Sequence, residues 1–236
     1  MRRYLYAEFA NAADGRDDEL GKWYDEVRVP DFLDNIAGAL SVERTVFTTA
    51  GPLARAWGYA PFSYLTMYEL QASDAATAAA ALDHARQAGH LAPGDAIDTG
   101  SDAWLFEAMG VYMAVESDGV VPKYRMLKFS NPVAGQEERY NEWYNRKQIP
   151  ENLIAVKGMV SAERFRYIAP GPGASNTRYA PCGYLAVYRI DSDDPDTLVT
   201  VFDQARAAGY LHPDPSYDMT TGVGWYFEVL GPNRTR

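Results

Sequence analysis

The 236-residue chain predicts an α+β fold made of two tandem β-α-β-β-α-β units, and three observations lead there. The stretch Trp23-Tyr24-Asp25-Glu26-Val27-Arg28-Val29-Pro30, followed by Gly38 and Glu43-Arg44, returns as Trp143-Tyr144-Asn145-Arg146-Lys147-Gln148-Ile149-Pro150, Gly158 and Glu163-Arg164. The spacing is 120 residues throughout, ungapped from Tyr4/Tyr124 to Pro93/Pro213, and about thirty of those roughly ninety positions are identical, as in an internal duplication. Within each copy, alternating strand-like runs and helix-like periods follow one another in the same order.

The first strand is Arg3 to Ala10, with Leu5, Ala7 and Phe9 on one side and Tyr4, Tyr6 and Glu8 on the other. After a loop at 11–15, Asp17, Asp18 and Glu19 put negative charge where a helix dipole favours it. Leu20, Trp23, Tyr24 and Val27 then recur at i, i+3, i+4 and i+7, an amphipathic stripe that should bury Trp23, and likewise Trp143, against the sheet of its own half. Pro30 is expected to interrupt this helix, and Gly38 to end the short turn that follows. Strands are expected over Leu40–Phe47, Tyr59–Leu70 and from Trp104 to Met109 or as far as Val115, with a loop from Gly51-Pro52 to Gly58. The alanine-rich run after Ser73-Asp74, ending at Gly89, reads as a capped helix lying close on a sheet. In the second half Asp194-Pro195 marks the start of the equivalent helix and Gly209 its end.

Each unit is the ferredoxin-like split motif, one antiparallel sheet with both helices on one face. The expected division is a first repeat over 1–116, a linker over 117–122 around Ser117-Asp118-Gly119, and a second repeat over 123–236. Two such sheets packed face to face within one chain make an intrachain pseudo-dimeric α/β barrel. The side chains expected between the sheets are Tyr4, Tyr6, Glu8, Tyr64, Thr66, Tyr68 and Glu107, with Tyr124, Lys128, Tyr184, Tyr188 and Glu228.

A formal charge of -10 argues against binding nucleic acid or anionic lipid, which draw their affinity from Lys and Arg. No apolar run is long enough to span a bilayer, and the N-terminus runs directly into a strand pattern, so a cytoplasmic protein is expected. The single Cys182, opposite Phe62 of the first half, reads as a small buried hydrophobe. Three His residues with no H-x-x-x-H spacing, and no Gly-rich phosphate loop or G-x-S-x-G elbow, give no metal, nucleotide or acyl-transfer signature. Gly171-Pro172-Gly173 joins two strands and opens no helix. No metal or other cofactor is expected.

The Trp-Tyr pair, the Pro after one helical turn, the Gly, and the Glu-Arg on the next strand resemble the dimeric α/β-barrel superfamily, and within it the EthD-like proteins. The resemblance covers nearly the whole chain, once per half. It implies a barrel that single-domain relatives build by dimerising, and an activity drawn from a wide set that includes cofactor-free monooxygenases, cyclases, decarboxylases and isomerases. Relatives often carry His two residues before the Pro. Here those positions are Arg28 and Gln148, and Arg cannot shuttle protons at neutral pH although it can clamp a carboxylate.

Residues kept in both halves are explained by the need to fold each half, so chemistry is sought among polar positions that differ: Glu8/Lys128, Arg28/Gln148, Thr66/Ala186, His90/Tyr210 and Ala92/His212. Glu8, Lys128 and His90 are the candidate catalytic groups. Tyr24, Arg28, Tyr64, Tyr68, Tyr144 and Tyr184 are the candidate substrate-binding groups. Glu8 and Lys128 equally suit an interdomain ion pair. Two readings follow: a cofactor-independent decarboxylase, cyclase, isomerase or lyase acting on a hydrophobic aromatic or polyketide-like molecule, or a non-catalytic binding or structural barrel, with homo-oligomerisation compatible with either. A titratable group beside open pocket volume would favour the enzyme.

Overall fold

Alternation of apolar and polar side chains at period two produces eight principal strands, and their pairing closes them into a ring. The computed structural model describes residues 1–48, 60–98, 101–113, 122–171, 182–194 and 197–236. In chain order it contains β1 (Arg2–Ala10), α1 (Asp17–Trp23), a π turn (Tyr24–Arg28), α2 (Val29–Asn35), β2 (Ala39–Phe47), β3 (Tyr64–Ala72), α3 (Ala75–Gln87) and β4 (Asp102–Met113). Then come β5 (Tyr124–Ser130), α4 (Glu137–Trp143), a second π turn (Tyr144–Gln148), α5 (Ile149–Ala155), β6 (Met159–Pro170), β7 (Tyr184–Ile190), α6 (Thr197–Ala207), β8 (Val223–Val229) and a two-residue β9 (Arg234–Thr235). The strand order is β3-β1-β4-β6-β7-β5-β8-β2, β2 pairs back to β3, and β9 adds beside β2. The result is a closed, antiparallel, eight-stranded barrel with helices outside, in which each of the eight described strands has a neighbour on both sides.

Residues 117–121 of the expected linker over 117–122, the loop at 51–58, Pro172-Gly173 and Pro195 lie outside the described residues, as does any extension of β4 to Val115. Tyr59, the expected start of β3, lies outside the described residues; β3 begins at Tyr64, and the segment just before it is tied to Asn11: the Asn11 Nδ2 donates to the Pro61 carbonyl at 3.0 Å and the Ser63 amide donates to Asn11 Oδ1 at 2.7 Å. Asp74 caps α3 as expected, its Oδ1 accepting from the Thr77 amide at 2.8 Å.

Pro30 does not break its helix. The chain widens into an i to i+5 turn, with the Val29 amide on the Tyr24 carbonyl, and α2 continues with Pro30 in its first turn. The same occurs at Ile149 and Tyr144. The extra residue turns the stripe: Val27, expected to face inward, is 51% exposed, and Arg28 is buried in its place. Gly38 and Gly158 have positive φ, +82° and +93°, and a Cβ at either would collide with a backbone carbonyl, at Gln71 or Asp191, so both positions require glycine.

The barrel interior is one apolar core drawn from both halves. Leu5, Ala7, Phe9, Leu65, Met67, Trp104 and Phe106 meet Leu127, Phe129, Phe165, Leu185, Val187, Trp225 and Phe227. Phe9 lies 4.5 Å from Trp104 and 5.7 Å from Trp225, ring centre to ring centre. The tyrosine-bearing face expected between the sheets therefore faces the other way. Tyr4, Tyr6 and Tyr68 pack under α2 and α3 with Val29, Phe32 and Leu82, while Tyr124, Tyr184 and Tyr188 belong to the cluster with Tyr140, Trp143 and Phe202 on the outside of the barrel. Glu228 is exposed and Glu107 takes Arg2 and Arg166. The reason is polar for part of the set: outside the barrel the Tyr68 hydroxyl meets Glu8 and Arg28 and that of Tyr184 meets Glu137 and Asn141, whereas the buried Tyr4 and Tyr226 hydroxyls have no hydrogen-bond partner among the described residues.

Ion pairs cross between the sequence halves, but not at Glu8 and Lys128. Arg166 meets Glu107 at 2.6 Å, Arg125 meets Glu43 at 2.5 Å, and Arg3 meets the buried Glu163. Glu43 and Glu163 sit with Leu5, Met67 and Phe165 at one mouth of the barrel. The paired Glu-Arg motif is thus explained in part by closing that mouth. Among the described residues, no helix is long and apolar enough to cross a membrane.

Candidate functional site

The outer face of the sheet carries two differently filled spaces, one under each compound helix. Under the first helix, β1 and β3 present Glu8 and Tyr68, and the π turn presents Tyr24 and Arg28. Arg28 Nη2 meets Glu8 Oε1 at 2.5 Å, and Glu8 Oε2 accepts from the Tyr68 hydroxyl at 2.8 Å and the Tyr24 hydroxyl at 3.2 Å. Phe32 packs on Tyr68 at 4.5 Å between ring centres, and Arg28 also donates to the His90 carbonyl at 3.4 Å. Burial pushes the tyrosine hydroxyls of Tyr24 and Tyr68 well above their ordinary pKa, and Glu8 adds to the effect. This is a packed, fully engaged polar cluster.

Under the second helix the same face holds Met126, Lys128 and Tyr188, and the space stays open. A cavity of about 210 Å³ lies between the sheet, the second π turn with α5, α6 and the segment from Leu211 to Met219. Its size follows from residues on which the halves differ. Where the first half has Arg28 and Phe32, both large and buried, the second has Gln148 and Asn152, and both line the cavity. The Asn152 side-chain amide donates to the Gln148 backbone carbonyl at 2.7 Å, which holds the Asn152 side chain.

Lys128 is the polar centre of this cavity. Burial lowers its pKa from 10.5 to about 8, opposed only in part by the Cys182 thiol. Its Nζ lies 5.5 Å from the Tyr217 ring centre, a cation–π contact. Tyr144 and Tyr188 hydrogen-bond to each other, and burial raises the pKa of both. The Tyr144 ring is held from beneath by buried Arg164, whose guanidinium carbon is 4.5 Å from the ring centre and whose nitrogens donate to Asn145 at 2.6 Å and Asn141 at 2.8 Å. Leu211, another lining residue, has φ +62° and is the one described non-glycine residue with positive φ; its amide donates to Glu151 at 2.7 Å. Such backbone strain concentrates at functional sites.

The candidate residues thus separate. Glu8, Arg28, Tyr24 and Tyr68 form the closed cluster of the first half. His90 pairs with Asp31 at 2.9 Å on the surface side, with its side chain 36% exposed. The Tyr64 hydroxyl donates to Asp17 at 2.7 Å, and that of Tyr184 donates to Glu137 and accepts from Asn141 at 3.1 Å. Only Lys128 and Tyr144 line the cavity. Lys128 sits beneath a different helix from Glu8, so the two do not form the anticipated pair. Trp143 is buried as expected, at 9% exposure, and Trp23 is partly buried, packing beside Leu20, Tyr24 and Ala96. Of the other polar lining residues, Asn152 and Tyr217 carry no signal in the sequence, Tyr188 is expected between the sheets, and Gln148 enters only as the differing partner of Arg28. The differing pair Arg28/Gln148 carried the signal, but it pointed to the larger residue, whereas the smaller one leaves the space.

No family model matches the chain, and no curated protein matches it. Among solved structures, the chain is similar to an anthrone oxidase-like protein, with TM-score 0.56, 9% identity, and 99% of this chain and 93% of that one covered. It is similar to a candidate monooxygenase from Lactobacillus acidophilus NCFM, with TM-score 0.51, 9% identity, and 96% and 93% covered. A third, a candidate monooxygenase from Fusobacterium nucleatum, gives TM-score 0.53, 8% identity, and 100% and 95% covered. At these identities the likeness is one of fold, the α+β barrel.

Proposed function

We propose that the chain is a cofactor-independent enzyme whose single working site is the cavity around Lys128, acting on a one- or two-ring aromatic or polyketide-like molecule. In this reading the chain is two tandem ferredoxin-like repeats, 1–116 and 123–236, of EthD-like type. The first repeat has lost its cavity to Arg28 and Phe32, and the second has kept one. The carrying observation is an amine of pKa about 8 beside about 210 Å³ of open, aromatic-lined space. A cavity of roughly 150 Å³ holds a benzene ring, so this one suits one ring or a fused pair.

The lining supplies amine, amide and phenol groups, a set suited to proton transfer and hydrogen bonding. Neutral Lys128 takes a proton from a phenol or from an acidic C–H next to a carbonyl. The resulting ammonium then stabilises the enolate oxygen and returns the proton at another position, as in isomerisation or cyclisation. Gln148 and Asn152 orient the polar substituent, and Trp143, Tyr188 and Phe202 exclude water from the ring. At pH 7 roughly a tenth of such an amine is neutral, enough for a general base.

The test is deuterium exchange in D2O into a panel of phenolic one- and two-ring ketones, without added cofactor, in air and under argon. Exchange by the wild type that is lost in Lys128→Met is the expected result. Exchange by no member of the panel, or full exchange by Lys128→Met, rejects the reading in favour of a binding or structural barrel. Uptake of one O2 per product would replace the non-oxidative class with the oxidative one that the names of the structural neighbours suggest.

A further inference from the structure

The cavity around Lys128 has a charge that the chain as a whole does not. The protein carries a formal charge of -10, yet the charged residues lining this cavity are Lys128 and Arg206, and among the described lining residues there is no Asp or Glu. Lys128 comes from β5 at the floor. Arg206 comes from the last turn of α6, is about half exposed, and has its guanidinium carbon 6.0 Å from the ring centre of Phe202, itself a lining residue. Its carboxylate partner, Asp203 at 3.1 Å, is 67% exposed and outside the lining. An ion pair so exposed holds Arg206 weakly, and a second carboxylate can share or replace it.

We infer that the substrate is an aromatic carboxylic acid that enters ring first, with its carboxylate left at the mouth against Arg206 and its reacting carbon at Lys128. This inference rests on the proposed function and names its substrate class. A carboxylate at the mouth keeps part of its hydration, so the desolvation that makes buried ion pairs costly is largely avoided. The ring meanwhile gains the full apolar burial of Trp143, Tyr188 and Phe202. The opposite orientation would put the anion on Lys128 and hold that amine protonated, removing the base. The net negative charge of the chain repels anions at long range, so selection for the acid acts at the cavity itself and is short-ranged.

The experiment compares 2-naphthoate with its neutral counterpart 2-naphthamide by calorimetric titration, using wild type, Arg206→Gln and Lys128→Met. Wild type is expected to bind the naphthoate about twofold to fivefold more tightly, the range of an exposed charge pair. Arg206→Gln should bring the two ligands to near parity by weakening the naphthoate alone, and 0.5 M salt, a screening length of roughly 4 Å, should do the same to wild type. Lys128→Met should lose proton exchange yet keep most of the preference, which separates this inference from the catalytic one. Equal affinities in wild type, or a preference that survives Arg206→Gln, overturns the carboxylate assignment while leaving the proposed function intact. If neither ligand binds, both fall.

Discussion

Arg28 and Gln148 end equivalent π turns, and one closes the space that the other leaves open. Arg28 is 2% exposed and grips Glu8 at 2.5 Å, whereas Gln148 stands at the wall of a cavity of about 210 Å³. A π turn matters here because it places its last residue, and not the one before, over the sheet.

Arg28→Gln copies the second half, but it should not create a second active site. It strands Glu8 among buried tyrosines, so a loss of about 3 to 5 kcal/mol is expected, the range for breaking a buried pair. Urea denaturation of Arg28→Gln and of Glu8→Gln/Arg28→Gln measures this, and the double variant should recover part of the loss. Turnover at the Lys128 cavity should be unchanged in any variant that still folds.

Lys128→Met should stabilise the protein while removing its activity. The amine's pKa is lowered in the folded state, from 10.5 to about 8, so the charged form is disfavoured there. The cost is full below about pH 8 and fades as pH rises to 10.5, where the unfolded chain also loses the proton. Allowing for partial solvent screening, a gain of about 1 to 3 kcal/mol at pH 7 is expected. Denaturation of both proteins across this pH range checks it; a gain that grows with pH would contradict the assignment.

Gly222→Ala is a sharper probe of the site. A methyl group there would collide with the Tyr217 hydroxyl and come within 3.2 Å of Lys128 Nζ. Moving either group disturbs the amine without opening the apolar core, so activity should fall at least about tenfold while stability changes by about 1 kcal/mol or less. A crystal structure of the variant should show a displaced Tyr217 ring.

Glu107 should carry part of the acid sensitivity. The hydrogen bond from Arg2, with help from Arg166, holds its carboxyl below the usual range despite the opposing effect of burial. The stability it adds is present above the unfolded pKa of 4.5 and disappears as pH falls through the lowered native value. Both arginines are more than half exposed, at 65% and 52%, so Glu107→Gln should cost only about 1 kcal/mol near neutrality, and less in high salt. Wild type and variant should converge in acid.

The linear sequence by itself determined the class and order of elements. Period-two alternation in Leu5, Ala7 and Phe9, the stripe through Leu20 and Tyr24, the Asp74 cap and the glycines at 38 and 158 are local requirements, and local requirements are written in neighbouring residues. The Trp-Tyr, Pro, Gly and Glu-Arg positions pointed to the α+β barrel for the same reason. Which face of each strand turns inward was decided only by closure of the barrel. Leu65 and Tyr68 are both apolar enough for a core, and only a dry interior shared by eight strands sends Tyr68 outward, where its hydroxyl meets Glu8 and Arg28. The site depended on closure as well. Lys128 and Tyr144 were legible as unusual residues, but a cavity is a difference between volumes, and the one beside them exists because Gln148 and Asn152 fill less space than Arg28 and Phe32 do across the barrel.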